Sequence, residues 1–457
     1  MADSFAARAG ARLVVLCAPA LLFAFAPSAS AFCGFYVGKA DASLFNEASQ
    51  VIMVRRDNRT VISMANDYRG PLAEFALVVP VPVVLERGQV HIGDRKLFER
   101  IDAYSAPRLA EYYDSDPCMR VAKNMALAQR DAQLPAAAAV SKEEKRDRAL
   151  GVTVEASYTV GEYDIVILSG TQSDGLETWL RENGYRIPPG AASALRPYIR
   201  QKMKFFVAKV NLEQQAQTGV SYLRPLQFAF ESDRFMLPVR LGMLNARGPQ
   251  DLVLYVLTAN GRVETTNYRT VRMPANVELP VFVRDEFAKT YKALFDRQAA
   301  RENYRAIFTE YFWDMGWCDP CAADPLSPDE LRRAGVWWVG NTAARGGGQP
   351  VMLTRLHLRY TRESLPEDLA FQETQDRANF QARYVLRHAW AGPADACEAA
   401  RPYFDAVRTR QEREAETLAS LTGAGLASIR TRMDLPAQPP QRWWETLWRD
   451  GAPAVAK

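Results

Sequence analysis

A chain of 457 residues is long enough for two or three ordinary domains or one large one, and its net charge of +4 is too small and too scattered for a nucleic-acid binder. Its 48% hydrophobic and 11% aromatic content is that of a packed protein and excludes a disordered one.

The first predicted element is a secretory signal over 1–31. Arg8 and Arg12 supply a positive start, Leu13 to Ala26 an apolar run, and Ala29-Ser30-Ala31 the small residues a signal peptidase reads, with cleavage after Ala31. The run falls short of the roughly 20 residues a membrane span needs. Cleavage removes Arg8, Arg12 and Asp3 and leaves a mature charge of +3. No later segment reads as a transmembrane helix. The expected location is therefore periplasmic or secreted, with an unidentified partner in the cell envelope.

Along the mature chain, Gln50 to Val54 and Thr60 to Met64 flank Asp57-Asn58-Arg59 and predict a hairpin. Ala73 to Val79 predicts a core strand that Pro80 and Pro82 lead out at an edge. Leu97, Ile101 and Tyr104 mark one face of a helix, and a second helix is expected from Ser105 with Pro107 in its first turn. Residues 133–151 read as a charged, solvated insertion or linker. Val152 to Val160 and Tyr163 to Leu168 predict a hairpin around Gly161, and Leu176, Trp179 and Leu180 a helix capped by Ser173 or Asp174.

Lys204 to Leu212, Leu226 to Phe230 and Phe235 to Leu241 read as strands. Leu252 to Thr258 and Arg262 to Thr266 flank Asn260-Gly261, a hairpin signal. Phe287, Tyr291, Leu294 and Phe295 fall on one helical face. Ser327-Pro328-Asp329-Glu330 carries a capping box for a short helix ending at Gly335. Val351 to Tyr360 and Arg383 to His388 predict strands, and Cys397 to Leu421 the longest helix. In the tail, Trp444, Leu447 and Trp448 share a face that docks on a partner or on the protein itself.

The expected fold is α+β, built from antiparallel hairpins and sheets with packed amphipathic helices. Two lobes are expected, at 32–300 and 301–430, followed by a Pro/Trp-rich tail over 431–457.

Losing Cys17 with the signal leaves Cys33, Cys118, Cys318, Cys321 and Cys397 as disulfide candidates; five is odd, so at most two bridges form. Trp317-Cys318-Asp319-Pro320-Cys321 has the spacing of a thioredoxin-like redox pair, which makes Cys318 and Cys321 the catalytic candidates of a thiol-disulfide oxidoreductase. The capping box at Ser327 puts the next helix too late for that motif. The competing reading is a structural disulfide, one involving Cys397. A zinc site wants a second Cys pair, and His91, His357 and His388 sit in no such pattern, so no metal and no cofactor is expected.

Ser173 misses nucleophile-elbow spacing and reads as a cap. Glu367, Asp368 and Glu373 are carboxylates for a hydrolase only if two of them face each other across a cleft. The leading reading is a binding or scaffold protein without catalysis. The thiol enzyme and an unrecognised hydrolase are the alternatives.

Several segments together carry a resemblance: Phe32-Cys33-Gly34-Phe35-Tyr36-Val37, Ser173 to Pro188, Phe235 to Leu241, Asp314 to Cys321, and Leu353 to Tyr360 (LTRLHLRY) with Phe371 to Trp390. The chain resembles, over about residues 32–425, a family of exported bacterial proteins catalogued as a domain of unknown function, of the DUF2330 type. The resemblance implies bacterial origin and export, and no reaction.

Overall fold

The computed structural model describes residues 35–38, 46–65, 75–119, 152–171, 173–183, 190–219, 223–244, 246–317, 324–340 and 349–435. Ala31, the 133–151 insertion, Cys33, Cys318, Cys321 and the tail with Trp444, Leu447 and Trp448 lie outside them.

The chain opens with strands β1 (Phe35–Gly38), β2 (Asn46–Arg56), β3 (Arg59–Ala65), β4 (Phe75–Val81) and β5 (Val90–Ile92), then helix α1 (Arg95–Ser105). Next come β6 (Arg108–Tyr113), β7 (Val152–Val160), β8 (Tyr163–Gly170), α2 (Ser173–Glu182) and α3 (Ala191–Arg200). They lead to β9 (Lys204–Val210), α4 (Leu212–Gln217), β10 (Leu226–Glu231), β11 (Met236–Leu237) and β12 (Ala246–Thr258). Strands β13 (Val263–Thr265), β14 (Arg269–Arg272) and β15 (Val277–Leu279) precede α5 (Phe287–Arg301). Then follow β16 (Ala306–Asp314), α6 (Pro328–Ala334), β17 (Met352–Tyr360), β18 (Leu369–Glu373), β19 (Phe380–Gln381) and β20 (Arg383–His388). Helices α7 (Ala400–Thr422) and α8 (Leu426–Arg432) close the described chain.

The fold is α+β. A nine-stranded sheet runs β14-β16-β17-β12-β2-β3-β10-β5, with β19 also on β16, and a five-stranded antiparallel sheet runs β1-β4-β9-β8-β7. Alternation along each strand explains how they stack. Val51 and Met53 of β2 enter the core between the two sheets, with Ile165 and Ile167 of β8 and Phe206 of β9. Ile52 and Val54 of the same strand point the other way, onto Leu97 and Ile101 of α1 and Leu331 of α6. Phe205 and Val207 of β9 pack outward on Leu180 of α2 and Leu195 of α3. The layers are helix, sheet, sheet, helix. Each side chain of this kind stabilises the fold by roughly 1.5–3 kcal/mol when fully buried.

Residue 300 does not divide this sheet. β16 and β17 come after it, and they lie between β14 and β12, which come before it. The expected lobe boundary therefore runs through shared hydrogen-bond ladders. Parallel pairs occur too: β2 with β12, β14 with β16, and β20 with both β15 and β6.

Three local expectations are corrected. The helix expected from Ser105 is absent: the Ser105 hydroxyl donates back to Ile101 O at 2.7 Å as α1 ends, and Arg108–Tyr113 runs extended along β20. Pairing with a distant strand overrides the local proline signal. Asn260-Gly261 does not close a hairpin, because β12 and β13 belong to different sheets. The Asn260 and Gly261 amides instead donate to Glu373 Oε1 at 2.7 and 3.2 Å, and a Cβ on Gly261 would collide with Thr374 O. The Phe235 to Leu241 strand shrinks to Met236–Leu237 and passes into a 3-10 turn over Arg240–Leu244.

Candidate functional site

β17 alternates Leu with Arg355, His357 and Arg359. Leu356 and Leu358 enter the inter-sheet core, so the polar face turns toward α1 and α5. Its partner is set by a bulge in β16, where the pairing with β17 slips between Thr309 and Tyr311. The bulge restarts the alternation and aims Glu310 inward at the polar face of β17.

Glu310 is fully buried. Its Oε2 accepts from Arg355 Nε at 2.6 Å, and its Oε1 accepts from His357 Nδ1 at 2.6 Å and from the Tyr291 hydroxyl of α5. Arg355 Nη1 donates to Asp102 Oδ1 at 2.7 Å, which also takes the Tyr255 hydroxyl at 2.5 Å. The His357 ring lies flat on Phe295, centroids 3.6 Å apart. Burial alone would push the Glu310 carboxyl up. The neighbouring His357 and Arg355, with the hydrogen bonds from His357 and Tyr291, outweigh it and hold it at about 2. Arg359 continues the ladder onto Asp251 and Asp296. Each arginine here meets two carboxylates, so neither guanidinium is left without a counter-charge.

A second polar centre is open. Asp368, 7% exposed, accepts four donors: its Oδ1 takes the Tyr198 hydroxyl at 2.6 Å and the amides of Val239 and Arg240, and its Oδ2 takes the Arg240 guanidinium at 3.1 Å. Arg240 also lies 5.4 Å over the Tyr198 ring. Burial, then Asp368, push the Tyr198 hydroxyl well above its usual range, so it stays a donor. The held guanidinium borders a cleft of about 200 Å3 between α3, the 3-10 turn and the 361–366 loop. Ser193 and Pro197 of α3, Met243, Arg362 and Leu365 line it as well.

The structure brings two of the sequence candidates together. The sulfurs of Cys118 and Cys397 lie at disulfide distance, 2.08 Å apart, with Cα atoms 5.9 Å apart. Nearby, Asp114 accepts from Tyr403 of α7 at 2.8 Å and pairs with Arg410 at 2.9 Å. Glu414, one turn on, reaches Arg410 Nε only at 3.4 Å. Burial pushes the Glu414 carboxyl up to about 7, because Arg410 is shared with Asp114 and only partly offsets it.

The three carboxylates named from the sequence do different work. Asp368 holds Arg240, Glu373 caps the Asn260 turn, and Glu367 stays exposed. His388 Nε2 contacts Glu111 at 2.6 Å under the Tyr113 ring. His91 stands exposed on β5. Among the described residues no three His, Cys, Asp or Glu side chains converge as a metal would require, and no helix is long and apolar enough to cross a membrane. Sequence reasoning missed Glu310, Arg240 and Arg362. The period-2 run at β17 was the available signal for Glu310's partners, and no motif marks the two arginines.

A family model described as "Uncharacterized protein conserved in bacteria (DUF2330)" matches residues 27–372. No curated protein and no solved structure matches the chain.

Proposed function

The chain belongs to the bacterial family DUF2330, and from that premise we propose that it works outside the cytoplasm, binding or scaffolding a component of the cell envelope. The signal features of residues 1–31 support export. A Cys118–Cys397 bridge, which their sulfur distance supports, suits an oxidising compartment.

The observation that carries binding over catalysis is the open cleft at Arg240. Its charged lining residues are two arginines, and its hydroxyl, Ser193 Oγ, donates to Gly190 O at 2.7 Å. Such a cleft can hold a ligand, but none of these lining groups is a base, a thiol or a pair of facing carboxylates. Among the described residues, the buried Glu310–His357 pair is tied into the Arg355 network and lies outside the cleft lining.

The test is fractionation of the native cell with N-terminal sequencing and mass-spectrometric mapping of the cysteines. A chain starting at Phe32 in the envelope fraction, bridged between Cys118 and Cys397 and carrying a co-purifying component, is the expected result. A full-length chain in the cytoplasm with free thiols overturns it. A Cys318–Cys321 bridge that mild reductant opens, with a reactive Cys318 thiol, would instead favour thiol-disulfide exchange.

A further inference from the structure

We propose that the cleft at Arg240 and Arg362 receives a small organic anion, a carboxylate or phosphate on a short apolar body. The proposal rests on the binding reading above and names the ligand class of that site.

The positive end is built in advance. Arg240 is fixed by Asp368, which is itself saturated by the Tyr198 hydroxyl and two backbone amides, so this guanidinium gives up little freedom when a ligand arrives. Asp368 spends its oxygens on these donors and does not line the cleft. Arg362 lines the same opening, and among the described residues it makes no salt bridge. Its neighbour Glu363 hydrogen-bonds Thr361 and also feels the Arg362 charge, but Glu363 lies outside the cleft lining. The first turn of the ten-residue α3 lies alongside. Gly190 caps it without a side chain, and the Arg362 Nη1 atom is 3.8 Å from where a Gly190 Cβ would stand.

Two arginines and the first turn of α3, which no side chain caps, line one cleft with no carboxylate on the lining. Planar guanidiniums match carboxylate and phosphate oxygens in pairs. The remaining wall is apolar, through Pro197, Met243 and Leu365. The volume, about 200 Å3, lies below the roughly 300–1,000 Å3 of drug-sized sites, which fits a ligand of few heavy atoms.

The experiment is calorimetric titration of the purified chain with inorganic phosphate, acetate, butyl phosphate and hexanoate. The alkyl-bearing anions are expected to saturate one site and to bind more tightly than the bare ions, and the better head group separates phosphate from carboxylate recognition. Arg362 is exposed, so Arg362→Ala should fold as the parent does by circular dichroism. It should weaken binding by about tenfold or more, the worth of one charge-assisted contact. Arg408→Ala, on an exposed face of α7, should leave binding unchanged. The assignment is overturned if no anion saturates, or if Arg362→Ala binds as the parent does. A chain that resides in the envelope yet ignores all four anions would sink this assignment and leave the binding reading standing.

Discussion

Replacing Glu310 with glutamine leaves Arg355 buried beside a neutral partner. Truncating one member of a buried ion pair costs about 3–5 kcal/mol, so Glu310→Gln should lower the urea midpoint sharply. The pH dependence follows from the direction of the shift. A carboxyl held at about 2 when folded and near 4.5 when unfolded contributes stability that is present above 4.5 and lost as pH falls toward 2. Acid titration of the unfolding midpoint should therefore fall steeply across that window in the parent and less so in Glu310→Gln. Glu414 has the opposite sign. Its folded value of about 7 means that stability present below 4.5 is lost as pH rises through 7. Glu414→Gln should thus unfold at higher urea than the parent at pH 8, with the gain fading near pH 4.5. Neither carboxyl was legible in the sequence as special. Glu310 depends on a bulge defined by β17, and Glu414 on how Arg410 divides itself between α7 and Asp114.

Elements whose causes are local were readable. The capping box at Ser327 forms as its four residues imply: Ser327 Oγ accepts from the Glu330 amide at 3.2 Å, and Glu330 Oε2 from the Ser327 amide at 2.7 Å. Ser327→Ala should lower stability by about 1 kcal/mol in chemical denaturation. Gly335, which ends that helix at φ 100° with a would-be Cβ 2.6 Å from Val61, should tolerate alanine less well still. The β2–β3 hairpin was equally local, turning at Asp57 and Asn58. Asn260-Gly261 failed as a hairpin signal because its partner, Glu373, arrives from far along the chain. The strand β17 was visible as alternation, yet its Arg and His face would have been taken for a solvated one. Only α1 and α5, packed over it, make it interior. Helix α3 was not anticipated: it starts from Gly190 and carries Pro197 in its interior, so it lacks the usual local helix signals. The cleft was illegible for the same reason of distance: Arg240 and Arg362 meet only because α3 and the 361–366 loop pack together.

At the scale of the molecule, the sulfurs of Cys118 and Cys397, which follow β6 and precede α7, lie at disulfide distance across a sequence separation of 279 residues. Closing so long a loop in the unfolded chain is worth up to about 5 kcal/mol on entropic grounds. Cys118→Ser should therefore lower the urea midpoint of oxidised protein and leave that of reduced protein unchanged. The α+β class was legible from the mixture of strand and helix periods, but the two-lobe division was not correct for the large sheet, whose strand order no local pattern encodes. That order governs how the protein is made. β2 is synthesised early, beside β3, but its other flank waits for β12, and β12 in turn waits for β17. A ribosome halfway through the message has thus produced a hairpin whose β2 edge still lacks its β12 partner and leaves backbone N–H and C=O groups unpaired. The nascent chain stays incomplete, and in need of protection from its own kind, until Met352 to Tyr360 has emerged.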